Sequence, residues 1–411
     1  MNWKIHYSWI IMISCFLLMA DLGLQLSLVS VFLKPISESI GVTRTMFSSC
    51  HLISGLFGMF SGMQASKLYR RFSMRRILLF GAGMSTLGVL SYSLSTQLWH
   101  FYLAAPIYGF GNGLTSTIPA SILLTNWFQE KRGTASSAAF MGSSLGNLIF
   151  TQIAVRLLLV LEWRRIYQIF ALVKLGIMVP TILFLIVETP AQRGLSPYGG
   201  YGIEGGTGPE TQNSHGITTK IFLKTPVFYC IAFSTFISAI YILGVQNHLQ
   251  SFLTDIGFSP VWAANALSLL FCAQISGKFL VGVVLDKFGI KFSVFYVTVL
   301  FLIGCLCLVG TSAIPVLAFA AVTTIGLAGG QVTIFPPYIT SELVGAQAYP
   351  AIIGIIQIFN SLGTNINSTF TSILYDTFHG YALAWVLYMI FSVAAATSYL
   401  CALRLRKSYK I

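Results

Sequence analysis

The sequence predicts an all-α membrane protein of twelve transmembrane helices in two six-helix halves. Three observations predict it. Of the 411 residues, 55% are hydrophobic and 9% charged, against about a quarter charged in a typical soluble domain. Apolar runs long enough to cross a bilayer, about 20 residues at about 1.5 Å each, recur between short polar stretches. Finally, short motifs of the first half return in the second at a nearly constant offset.

The spans fall at 7–33, 45–69, 74–95, 100–127, 133–159 and 165–188, then 224–249, 262–285, 290–312, 314–341, 348–375 and 380–403. The first opens on Tyr7 and Trp9, rings suited to the membrane interface. It is too long, and too poor in an early cleavage site, for a removable signal peptide. Arg70, Arg71, Arg75 and Arg76 separate the second from the third. The fourth contains "GFGNG", the fifth follows Lys131 and Arg132, and the sixth follows Arg164 and Arg165. The seventh ends near Asn247 and His248, and the eighth contains Lys278 and runs into "LDKFGIK". The ninth holds Cys305 and Cys307, the tenth "GLAGG", the eleventh Asn360, Asn365 and Asn367, and the twelfth stops before Arg404. Between the halves, "ETPAQRGLSPYGGYGIEGGTGPETQNSHGITTK" is rich in Gly, Pro, Ser and Thr and reads as a flexible linker. The expected domains are therefore 1–188, a cytoplasmic linker at 189–223, and 224–411.

Cation placement sets the expected orientation. With the N-terminus inside, 17 of the 24 Lys and Arg residues lie in cytoplasmic segments, while the outer loops hold only Lys34, Arg44, Arg164 and Arg165. This asymmetry puts both termini in the cytoplasm of a multi-pass protein of the cell membrane. It also accounts for the net charge of +13 through an anionic leaflet rather than nucleic acid. The seven cysteines lie in or at the ends of spans without metal-ligand spacing, as inert thiols do. No phosphate-binding glycine loop or H-E-x-x-H is present. An enzyme is not expected, nor a cofactor, and energy must come from an ion or solute gradient.

The internal repeat sharpens the architecture. "GFGNGLTSTIP", Gly109 to Pro119, matches "GLAGGQVTIFP", Gly326 to Pro336, at an offset of 217. "SLGN" at Ser144 meets "SLGT" at Ser361 at the same offset, and "SKLYRRFSMR" at Ser66 meets "GVVLDKFGIK" at Gly282 at 216. Parallel six-helix repeats are a transporter architecture with substrate bound near mid-membrane. "GVVLDKFGIK" fits the loop signature G-x-x-x-D-[RK]-x-G-x-[RK], and the chain here resembles the major facilitator superfamily. The resemblance implies a gating loop of Gly282, Asp286, Lys287, Gly289 and Lys291. The first-half counterpart has lost the pattern at Ser66, Arg70 and Ser73. "NWFQEKRGTASSAAFMGSSLGN", "EWRRIYQIF" and "HLQSFLTDIGFS" further resemble the oxalate/formate antiporter and monocarboxylate transporter branch, with Glu162 where that branch has Gly.

Charges within the spans are costly and normally functional. They are Asp21, Arg156, Lys174 and Lys278. Lys278 precedes Asp286 by eight residues, about 12 Å of helix, which is long for snorkelling. By resemblance it stands where an eighth-span arginine binds the substrate carboxylate; the alternative is a structural ion pair. Gln274 stands where monocarboxylate transporters have Asp, Ser27 where they have a first-span lysine, and the eleventh span has no cation for a second carboxylate. Asp21, also at mid-depth, suits proton coupling, or else forms a fixed pair or stays protonated. Arg156 and Lys174 are read as snorkelling to the outer interface, or else lining an electropositive vestibule. His248 has a titratable ring suited to proton coupling, against an ordinary interfacial role. Asn112, Tyr241, Gln331 and Asn365 are substrate-binding candidates, or else hydrogen-bond neighbouring helices.

The function expected is secondary active transport of a small organic anion such as a monocarboxylate, by proton symport or anion exchange. The partners would be the anion, protons or a counter-anion, and the bilayer, with the chain acting as a monomer. Efflux of a hydrophobic molecule and a non-transporting receptor are the alternatives.

Overall fold

The computed structural model describes residues 6–130, 132–199, 219–344 and 349–408. It divides into two compact units, Met1–Gly208 and Pro209–Ile411. The regular elements among the described residues are all helices, with one isolated parallel bridge between Phe128 and Tyr198 and no sheet. Among the described residues, eight helices are long and apolar enough to cross a membrane on length and composition. The remaining spans are shortened, broken or rich in Ser, Gly and Asn.

Unit 1 contains α1 (Tyr7–Ile40), α2 (Arg44–Arg71), α3 (Met74–Ser93), α4 (Leu98–Leu114), α5 (Thr117–Trp127), α6 (Arg132–Leu158) and α7 (Trp163–Pro180). The first helix has 34 residues, about 51 Å at 1.5 Å each, so it outruns the expected span. It stops at Gly41, whose φ of 71° is left-handed, where Val42 N–H reaches the Ser37 carbonyl at 3.0 Å. Glycine alone meets no steric cost in that conformation. A five-residue π turn, Thr181–Leu185, ends the sixth span.

Small residues let these helices touch backbone to backbone, as membrane helices do when no hydrophobic force draws them together. A Cβ on Gly23 of α1 would lie 2.3 Å from the Asn147 nitrogen of α6. A Cβ on Gly109 of α4 would lie 1.9 Å from the Ser54 carbonyl oxygen of α2. Gly109→Ala must therefore push α4 off α2. The expected cost is about 1–3 kcal/mol, as for other overpacked sites, read as a lower unfolding temperature in detergent. An unchanged temperature would show that this contact yields freely.

The fourth span, expected as one helix, is broken into α4 and α5 at Thr115 and Ser116. The glycine run weakens the helix there, and Pro119 falls in the first turn of α5, where proline is tolerated.

A second difference concerns the stretch read as linker. Its first residues pack on unit 1, with a short helix at Pro190–Arg193. Just before it, at the end of the expected sixth span, Trp127 Nε1 donates to the Val187 carbonyl at 2.7 Å, Asn126 Nδ2 to the Glu188 carbonyl at 3.1 Å and Arg75 Nε to the Ile186 carbonyl at 2.7 Å. Tyr198 N–H then donates to Trp127 at 2.9 Å, and its ring lies against His6, Trp9 and Phe128. Composition could not reveal this: Tyr198, one of two tyrosines among the glycines, supplies the anchor. Tyr198→Ala removes those ring contacts, each worth about 0.5–1.5 kcal/mol. Tryptic cleavage at Arg193, mapped by mass spectrometry, should accelerate about tenfold. An unchanged rate would mean that the backbone bonds suffice.

Unit 2 contains α8 (Thr219–Phe222), α9 (Pro226–Asp255), α10 (Pro260–Gly310), α11 (Leu317–Ala328), α12 (Gln331–Val344), α13 (Tyr349–Phe378) and α14 (Ala382–Ser408). The eighth and ninth spans are the two arms of α10, joined at Gly289, where φ is 75° and ψ 173°. Only glycine accepts that backbone readily. The tenth span, like the fourth, is two helices, broken at Gly329 and Gly330. Close approach recurs here: a Cβ on Gly277 of α10 would meet the Leu327 carbonyl oxygen of α11 at 2.4 Å.

Candidate functional site

In unit 1 the in-span charges meet. The Lys174 ammonium on α7 lies 2.7 Å from Oδ2 of Asp21 on α1, with side chains 0% and 2% exposed. Gln25, one turn along α1, donates to the same Oδ2 at 2.9 Å. Lys174 also reaches Oδ1 of Asn112 on α4 at 3.4 Å, and the Tyr108 phenol lies beside Asn112. Asp21 Oδ1 is buried with no hydrogen-bond partner among the described residues. The expected snorkelling of Lys174 is thus corrected: its side chain stays inside the bundle, because a carboxylate there offers stronger compensation than a stretch to the interface. Depth arithmetic held the signal, since Lys174 is 11 residues past Trp163, about 16 Å into the membrane. Arg156, in the last turn of α6, is exposed.

In unit 2, Lys278 is half-buried on α10, its Cα close to Gly330: a Cβ there would approach it to 3.1 Å. Among the described residues it has neither an ion-pair nor a hydrogen-bond partner. Gln331 of α12 donates from Nε2 to the Tyr241 hydroxyl of α9, and both are buried. Asn365 is half-buried on α13.

His248 is fully buried rather than interfacial. One ring nitrogen, Nε2, lies 3.1 Å from the Ser368 carbonyl and the other, Nδ1, 3.2 Å from the Tyr381 hydroxyl. A carbonyl only accepts, so Nε2 carries the proton. Next to it, Asn247 donates to Asn367 Oδ1 at 2.9 Å. The interfacial reading of both is corrected: they tie α9 to α13, since the paired polar groups satisfy each other within the bundle.

In the expected gating loop, Lys287 and Lys291 are exposed, Gly289 makes the kink and Gly282 sits beside open space. The Asp286 side chain lies outside the described residues.

The family pattern of the Major Facilitator Superfamily matches residues 11–368. The chain belongs to that superfamily. Its members' twelve-helix fold is the one seen here, and the chain is a secondary active transporter with an alternating-access helical bundle rather than an enzyme. The Escherichia coli "Uncharacterized MFS-type transporter YhjX" is 25% identical over 79% of this chain and 77% of its own. Human monocarboxylate transporter 12 is 23% identical over 94% of this chain and 79% of its own. MFS-type transporter 1 of Ophiocordyceps is 28% identical over 69% of this chain, a match spanning 60% of that protein's length. The fold is similar to that of a D-xylose-proton symporter structure, with TM-score 0.76, 14% identity and 96% and 97% of the two chains covered.

Proposed function

We propose that this transporter carries a small organic anion of the monocarboxylate class across the cell membrane, by proton symport or anion exchange, with both termini cytoplasmic. The observation that carries the reading is Lys278. It is a mid-span cation without a protein counter-ion among the described residues, and a charge at that depth calls for an anion. A lysine supplies a point charge rather than a two-pronged clamp, which suits one carboxylate. Similarity to human monocarboxylate transporter 12 along 94% of the chain supports the class, as do the motifs resembling the oxalate/formate antiporter and monocarboxylate branch.

Other residues take graded roles. Asn365, Tyr241, Gln331 and Asn112 supply polar contacts to the substrate. The last three are already hydrogen-bonded within their units, so substrate contact requires exchange of partners. Asp21 responds to the coupling proton, with His248 as a second titratable group. Gly282, Asp286, Lys287, Gly289 and Lys291 form the hinge and charged loop of the gate. The functional unit is the monomer.

Reconstitution tests the class. Proteoliposomes holding the purified chain should accumulate radiolabelled pyruvate or L-lactate when driven by a pH gradient or by a trapped counter-anion. Uptake of neither, together with resistance to hydrophobic compounds in a sensitised host, would transfer the assignment to efflux.

A further inference from the structure

Transport of an anion assigns no role to the thiols, and two of them meet in unit 2. Cys230 lies near the start of α9 and Cys401 near the end of α14, 171 residues later in the chain. Their side chains are hydrogen-bonding neighbours, thiol to thiol. Both are free; Cys401 is exposed and Cys230 half-buried.

The packing of the two helices holds this meeting in register. Ser398 Oγ, one turn from Cys401, donates to the Cys230 carbonyl at 3.1 Å, and Ser234 Oγ donates to the Ala395 carbonyl at 3.1 Å. Further along, a Cβ on Gly244 would lie 2.2 Å from the Tyr388 hydroxyl oxygen. Positions rise along α9 as they fall along α14, so the helices run antiparallel and stay in contact over several turns. A serine side chain spans only a short gap, so the two backbones lie close at Cys230. Close backbones are what a disulfide needs, with Cα atoms within about 7 Å.

We propose that Cys230 and Cys401 form a redox-responsive dithiol, which a peroxide closes into a disulfide that clasps the seventh span to the twelfth. On the proposed orientation both thiols lie near the cytoplasmic membrane surface. Cys230 is six residues past Lys224, about 9 Å of helix, and Cys401 three before Arg404, about 4.5 Å. A reducing cytoplasm keeps such thiols reduced, so the dithiol is the resting form and the disulfide the form under oxidative load.

Exposure sets the order of the chemistry. The Cys401 thiolate attacks the peroxide: an S–O bond forms, the O–O bond breaks, and Cys401 becomes a sulfenic acid as the first water leaves. The Cys230 thiolate then attacks that sulfur; the S–S bond forms, the S–O bond breaks, and the second water leaves. Two thiols give up two electrons and the peroxide is reduced to two waters. Cys15, Cys50 and Cys305 are buried and shielded from an aqueous oxidant. The closed bond constrains the unfolded chain across the long loop between the two cysteines, while α9 and α14 keep the packing they already have.

The test treats the full chain in nanodiscs with hydrogen peroxide, blocks remaining thiols with N-ethylmaleimide and maps unreduced peptides by mass spectrometry. A Cys230–Cys401 linked peptide should be the main oxidised form of Cys401, should come from the monomer band, and should be released by dithiothreitol. The unfolding temperature of the oxidised protein should rise by at least about 5 °C, reversibly with dithiothreitol, and not in Cys230→Ser or Cys401→Ser. Cys401 recovered as sulfinic or sulfonic acid, or linked to a second copy, with Cys230 still alkylated, would overturn the proposal. A linked peptide with an unmoved unfolding temperature would overturn the clasp. Mapping uses the wild type alone, so it decides even where a serine variant does not fold. None of these outcomes bears on Lys278 or on anion uptake.

Discussion

Lys174→Ala should be the most destabilising single change in unit 1. It leaves the Asp21 carboxylate buried with Gln25 as its remaining described partner. Breaking a buried pair from one side costs about 3–5 kcal/mol, whereas removing both charges is often neutral. The variant should therefore unfold at a markedly lower temperature in detergent, and Asp21→Ala/Lys174→Ala should recover most of the loss. The recovery is the informative part. A double variant as unstable as the single one would show that Lys174 contributes packing by its stem rather than charge compensation.

The second large effect belongs to function. Lys278→Ala should abolish anion uptake without a comparable loss of stability, because Lys278 has no described counter-ion to strand. Losing one member of a desolvated, hydrogen-bonded charge pair with substrate costs about 2–5 kcal/mol, tens- to thousands-fold in affinity. Lys278→Arg keeps the charge and should retain measurable uptake with altered selectivity, since the planar guanidinium prefers two-point contact. The readouts are initial uptake rate and thermal stability in the same preparations. Loss of both together would indicate a structural lysine.

The fold was legible in the sequence to the extent that it is written in hydropathy. Twelve apolar runs, a repeat offset and one loop signature locate the spans. What hydropathy does not encode is rotation. Helices apolar on most sides have no polar face to orient them, so nothing in the sequence aims Asp21 toward Lys174, 153 residues away. Each charge was visible at its depth; the pairing was not. The breaks at Thr115–Ser116 and Gly329–Gly330 were hidden for a related reason. The "GFGNG" and "GLAGG" motifs are conspicuous, yet whether such glycines serve close packing, a break or both depends on the neighbouring backbone. Gly109 against Ser54 is settled by a distance, not by composition. Tyr198 is the converse case: the glycine-rich stretch read as linker contains two tyrosines, and Tyr198 docks its first part to Trp127 and Phe128. His248 looked interfacial because it lies near a span end, and three-dimensional packing of α9 on α13 buries it.

The central claim is that Lys278 binds the carboxylate of the transported anion. The most direct test is thermal unfolding of the purified protein across a panel of small monocarboxylates, wild type beside Lys278→Ala. A ligand that binds the folded state alone raises stability by mass action. We expect at least one monocarboxylate to raise the wild-type unfolding temperature in a concentration-dependent way and to leave Lys278→Ala unmoved. An equal rise in both proteins would contradict the claim.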